Sequence, residues 1–189
     1  MANEYLYKFP ELLDRIIGNM QKGLSDNIGW LDNAFGRAER IVKYNDNGKR
    51  IYIPTVYIGE NDYREVSPDS QLGNFCFFWV EDPQTVEWID KQSIGIETGF
   101  SVIFWFDYRT IFNTSSERNK ERLKKEILDV LNGGFWLKAG RIKINKIYEL
   151  AENIYKGFSL DEIDNQFLMQ PFGGFRFEGV LKIEETCTL

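Results

Sequence analysis

The sequence predicts an α+β fold: a mostly antiparallel sheet with helices packed on one face and a protruding β-hairpin. Three observations carry this expectation. The aromatic runs Phe75-Cys76-Phe77-Phe78-Trp79-Val80 and Val102-Ile103-Phe104-Trp105-Phe106 suit buried strands. The order of elements is helix, strands, two helices, strand, without the regular β–α alternation of a doubly wound nucleotide fold. Asn45-Asp46-Asn47-Gly48 divides two strand-like segments, and Asn-Gly supplies the positive φ angles of a tight hairpin turn.

Taken along the chain, Pro10 and Glu11 mark a helix start, and Leu12, Leu13, Ile16, Ile17 and Met20 share one helical face, with Gly23 as a stop. Leu24 to Ala38 reads as a structured connection. The hairpin follows, Glu39–Tyr44 against Lys49–Ile58, an arm candidate over 39–58 within one domain of 189 residues. Pro54 lacks an amide proton, which places its strand at an edge or a bulge. Gly59 to Asn74 is a polar loop. Phe75–Glu81 and Ile94–Tyr108 are expected as long strands, and within the second Val102–Phe106 is apolar on both alternating sets, as a central strand covered on both faces must be.

A first covering helix is expected over Thr114–Asn132, with a Thr114–Glu117 capping box, a Leu123, Ile127, Val130, Leu131 stripe and a stop at Gly133-Gly134. A second is expected over Lys146–Tyr155, where Ile147, Leu150, Ala151, Ile154, Tyr155 and Phe158 recur at helical spacing. After a break at Gly173-Gly174 the chain closes on a clear alternation. Phe175, Phe177, Leu181 and Ile183 take one face, and Arg176, Glu178, Lys182 and Glu184 the other.

The chain has no histidine, which removes Ser-His-Asp and Cys-His catalysis and the commonest metal ligand. Cys76 and Cys187 are far apart and outside any CxxC, so no zinc site is recognisable and no cofactor or metal is expected. Phosphate-loop and calcium-loop spacings are absent. A carboxylate enzyme would have to use Asp69 with Glu87 and Asp90, without the usual carboxylate-x-lysine spacing.

The net charge of −6 argues against a duplex nucleic-acid partner or an anionic membrane surface. No segment has the pattern of a signal peptide or a membrane span, so a cytoplasmic protein, or one assembled into a particle, is expected. The charge is uneven. Glu117 to Lys146 holds nine Lys/Arg against four Asp/Glu, a local +5 that leaves −11 elsewhere. Arg118, Arg122 and Lys125 share a helix face, and Arg141, Lys143 and Lys146 follow shortly. These form a candidate interaction surface, weighed against an ordinary solvated face.

The sequence of elements, with Gln170-Pro171-Phe172-Gly173-Gly174-Phe175-Arg176-Phe177-Glu178 near the end, resembles the small tail-terminator and head–tail joining (neck) proteins of tailed phages and prophages. The resemblance implies a non-enzymatic, ring-forming structural protein that associates with itself and with other phage-like structural proteins. It carries over no functional residues. Two further readings stay open: a small-ligand or peptide-binding module with an aromatic pocket, and a histidine-free carboxylate enzyme.

Overall fold

A computed structural model describes residues 3–4, 10–59, 61–112, 119–133 and 140–186 of the chain. Its elements are β1 (Asn3–Glu4), α1 (Leu12–Asn27), β2 (Asn33–Tyr44), β3 (Arg50–Gly59), β4 (Asp62–Glu65), β5 (Phe75–Val80), β6 (Thr85–Trp88) and β7 (Ser93–Asp107). After them come α2 (Tyr108–Ile111), α3 (Lys120–Gly133), β8 (Gly140–Tyr148), α4 (Ala151–Ile154), a 3-10 turn (Asn165–Leu168) and β9 (Phe172–Thr186). The α+β fold and the mostly antiparallel sheet are as the sequence predicts.

The nine strands form one sheet in the order β4-β3-β2-β5-β7-β9-β8, with β1 beside β2 and β6 beside β7. Among the described residues only β1/β2 and β2/β5 pair in parallel. β7 is the central strand: β9 pairs along all of it, from Ser93↔Thr186 to Asp107↔Phe172. On its other edge lie β5, against Phe100–Trp105, and β6, against Ile94–Glu97.

Both faces of β7 are buried over Phe100–Phe106, each against its own core. On one face Val102, Phe104, Phe106, Phe175, Phe177, Leu181 and Ile183 pack with Ile16, Ile17 and Met20 of α1 and with Leu123, Ile127 and Leu131 of α3. On the other, Phe75, Phe77, Ile103 and Trp105 are covered by Ile154, Tyr155 and Phe158. Thus the two long helices share one face, and α4 with the irregular chain after it seals the opposite one. Among the described residues no helix is long and apolar enough to cross a membrane.

Several local expectations are corrected. α1 runs through Gly23 to Asn27, because Leu24 is fully buried and its packing outweighs the roughly 1 kcal/mol helix penalty of glycine. The connection over Leu24–Ala38 is therefore mostly helix and strand. Within the supposed polar loop, Asp62–Glu65 forms β4 on β3. Of the two settings expected for the Pro54 strand, β3 shows the bulge, between Tyr57 and Gly59 in its pairing with β4, and not the edge position. Pro54 faces Arg40 across the hairpin, and its carbonyl accepts the Val66 N–H at 2.9 Å.

The second helix expected over Lys146–Tyr155 is split: Lys146–Tyr148 belong to strand β8, and only Ala151–Ile154 are helical. Ile142 and Ile144 alternate with charged residues, a bulge follows Ile144, and β8 continues through Tyr148 on the edge of β9. The helical spacing from Leu150 survives only in the four residues of α4. Nor do Gly173-Gly174 break the last strand. A Cβ at Gly174 would lie 2.2 Å from the Phe104 carbonyl oxygen, so glycine lets β9 run close against β7 there. α3 starts at Lys120, where the Asn119 side chain accepts the Arg122 N–H at 3.0 Å. The Thr114–Glu117 capping box, Gly134 and Cys187 lie outside the described residues.

Candidate interaction surface

The predicted basic surface does not assemble as one patch. Arg122 and Lys125 are exposed on α3, and Lys125 is paired with Asp129 one turn on. Arg141 and Lys143 are exposed on β8, in alternation with Ile142 and Ile144, which pack toward the α1/α3 core. Alternation sends Arg141 and Lys143 to the opposite face of the sheet from α3. Arg118 lies outside the described residues. On α3 the cation with the densest surroundings is Lys124, which bonds Glu121 and Glu149 and lies 5.8 Å from the Phe175 ring centre. Burial pulls Lys124 down, but its hydrogen bonds to Glu121 and Glu149 outweigh this and leave it raised.

The carboxylates considered for catalysis are also separated. Asp69 precedes β5, whose Phe75 faces Trp105, whereas Glu87 faces Gly95. Ten residues of β7 separate these positions, roughly 33 Å of strand. Among the described residues no three His, Cys, Asp or Glu side chains gather as a metal site would need.

The sequence gives no sign of a buried ionic cluster, because Arg176 and Glu178 fall on the polar set of β9's alternation. Both are nonetheless buried, under α4. Arg176 Nη1 donates to the Lys156 carbonyl at 2.9 Å, and Nη2 lies 3.4 Å from Glu178 Oε1. Glu178 also receives the Tyr148 hydroxyl at 3.2 Å and faces Lys146 at 3.6 Å and Lys156 at 3.9 Å. Burial pulls the Arg176 guanidinium below its ordinary value, while Glu178 and Glu81 push it back. Around this pair the cluster holds the chain after β8 against the sheet.

A cleft of about 690 Å³ opens where β5 begins and β7 ends. Asp69, Asn74, Asp107, Arg109, Phe167 and Phe172 are among its lining residues. Phe167 and Phe172 meet edge to face at 5.2 Å, and Arg109 stacks over Phe172 at 5.6 Å while clasping Asp107. Asn74 is structural: its side chain bonds Trp30, Thr110 and Asp107 and ties the loops together.

The clearest surface feature is at the strand edges. β2 pairs with β5 only as far as Arg37↔Phe78, then continues with β3 as the hairpin arm. Asn45 closes the turn, its Oδ1 accepting from Asn47 at 3.1 Å and Lys49 at 2.8 Å, with Gly48 at φ +72. The Asn45 N–H bonds the Lys49 carbonyl, so odd-numbered β2 residues point their backbone groups at β3 and even-numbered ones point away. Arg40, Val42 and Tyr44 therefore present outward N–H and C=O groups with no strand partner among the described residues. Glu39–Tyr44 is exposed throughout, and Tyr44 is 72% exposed.

The second open edge belongs to β6. Ile89 N–H bonds the Ser93 carbonyl, so Val86 and Trp88 direct their backbone groups outward. Val86, Trp88 and Ile89 are 57%, 68% and 50% exposed, an apolar group on a projecting hairpin. By contrast, the edge of β3 that the sequence leaves open is closed, by β4 and by Ser159.

No protein-family model matches the chain, and no curated protein matches it.

Proposed function

We propose that this chain is a non-enzymatic structural protein of a phage-like particle, a tail-terminator or neck component, working as a homo-oligomer. The observation that carries the self-assembling part of the reading is the hairpin arm, whose β2 edge is open from Arg40 to Tyr44 and bears exposed apolar side chains. Open edges recruit strands from other chains, and soluble monomers usually block them. The β6 hairpin adds Trp88, a residue type enriched at protein contacts. The phage-like setting rests on the resemblance in the order of elements and in the closing segment.

Light scattering on the full chain at high protein concentration, in low and high salt, tests the reading. A ring or smaller oligomer is expected, slower to form as salt rises because rim charges are screened. A monomer under all these conditions removes self-assembly by the isolated chain.

A second reading is favoured by the cleft. Its volume lies in the range of ligand pockets, and the Phe167/Phe172 floor beside Asp69 suits a peptide or small ligand with an apolar and a cationic part. Titration with aromatic–basic dipeptides, followed by tryptophan and amide resonances, separates this reading from the first.

A further inference from the structure

The arm and the β6 hairpin carry opposite charge. Residues 37–50 hold five Lys/Arg against two Asp/Glu, and residues 81–92 hold four Asp/Glu against one Lys. Set antiparallel, their open edges also match position by position. Val42 faces Trp88 and Tyr44 faces Val86, so that the outward-pointing residues meet and each pair can exchange both backbone hydrogen bonds. Between them Lys43 faces Glu87. On the far side Ile41 faces Ile89, and Arg40 reaches Asp90 in the adjoining turn.

We propose that the β2 edge of one subunit pairs in this antiparallel register with the β6 edge of a second copy. The inference rests on the self-assembly reading above and names its two surfaces. A slip by one residue sets outward backbone groups against inward ones. A slip by two places Lys43 opposite Thr85 or Ile89 and loses its pairing with Glu87. Within one chain β2 and β6 run in the same direction, since β2 is parallel to β5 and both β5 and β6 are antiparallel to β7. The antiparallel match therefore joins two molecules. Because the two surfaces differ, the contact is head-to-tail, and it closes into a ring or extends into a filament. Glu87 and Asp90 make no ion pair with a described residue, while Lys43 shares an exposed pair with Glu65 at 3.0 Å, leaving it accessible to a second carboxylate.

Cysteine cross-linking of the full chain tests this, in a Cys187→Ser background and with circular dichroism confirming the fold. Lys43 and Glu87 form a non-hydrogen-bonded pair in the proposed register, the closer kind and within reach of a disulfide. Lys43→Cys with Glu87→Cys in one chain should give a covalent ladder on oxidation, and mixing the two single variants should give dimers only. Lys43→Glu or Glu87→Lys alone should weaken association about tenfold, and the two together should restore it. Wild-type oligomers without ladder or charge-swap rescue overturn the pairing and leave self-assembly standing. Dimers from either single-cysteine variant alone overturn it in favour of a symmetric contact. A wild-type chain that stays monomeric overturns both.

Discussion

Tyr52 and Ser159 grip each other at the edge of β3: the Ser159 N–H donates to the Tyr52 carbonyl at 2.8 Å, and the Tyr52 N–H donates to Ser159 Oγ at 3.0 Å. Two residues 107 apart in sequence thus close the strand edge that lies beyond β4. The arm is pinned on this side and open on the other. Replacing Ser159 by Ala removes one acceptor and should cost about 0.5–1.5 kcal/mol. Hydrogen exchange at the Tyr52 amide should accelerate more than exchange in β7. Unchanged protection at Tyr52 would show that the arm is held by other contacts.

The Arg176–Glu178 pair should be sensitive to losing one partner. Glu178→Ala leaves the buried guanidinium with the Lys156 carbonyl and a single carboxylate, Glu81 at 3.9 Å, and is expected to cost about 3–5 kcal/mol in urea unfolding. A loss below 1 kcal/mol would mean that the guanidinium finds water on its own.

Ile127 is fully buried between α3 and the sheet. Ile127→Ala should cost about 2–5 kcal/mol, measured as a shift in the unfolding midpoint with an unchanged slope. A near-neutral result would contradict the docking of α3 on β7.

Acid should loosen the contact between α3 and the turn after β8. The hydrogen bond from Lys124, opposed by burial and helped by its charge, holds Glu149 below the usual carboxylate range. A carboxylate depressed in the folded state adds stability that is fully present above the ordinary glutamate range and is lost as pH falls through its folded value. Glu149→Gln should therefore lower stability slightly at neutral and alkaline pH, leave it unchanged in strong acid, and so flatten the acid limb of the stability curve. Glu149 is 38% exposed, so water screens the effect and keeps it small. An unaltered acid limb would exclude the contribution.

Much of the core was legible because its signals are local. Val102–Phe106 is apolar at every position, and only a strand covered on both faces can use such a run. Asn45–Gly48 names its own turn. What failed to read out depends on tertiary partners. Gly23 stays in α1 because Leu24 has a core to fill, and Lys146–Tyr148 joins β8 because β9 offers an edge. Arg176 follows a polar alternation, yet it is buried because the chain after α4 folds over it. The basic residues are close in sequence, but a helix and a strand carry them to opposite faces. Edge openness was the least accessible property. Whether β2 or β3 is the free side of the arm depends on β4 and Ser159, and nothing within the hairpin encodes that.

Sedimentation equilibrium of the full chain beside its Val42→Pro variant tests assembly through the arm most directly. The Val42 N–H points away from β3, so proline there removes an outward donor while sparing the hairpin's own ladder, the kind of site where edge strands tolerate it. The wild-type chain is predicted to associate in low salt, and the variant to sediment as a monomer with an unchanged circular dichroism spectrum. Equal association of the two proteins, or a wild-type chain that remains monomeric, would contradict assembly through the β2 edge.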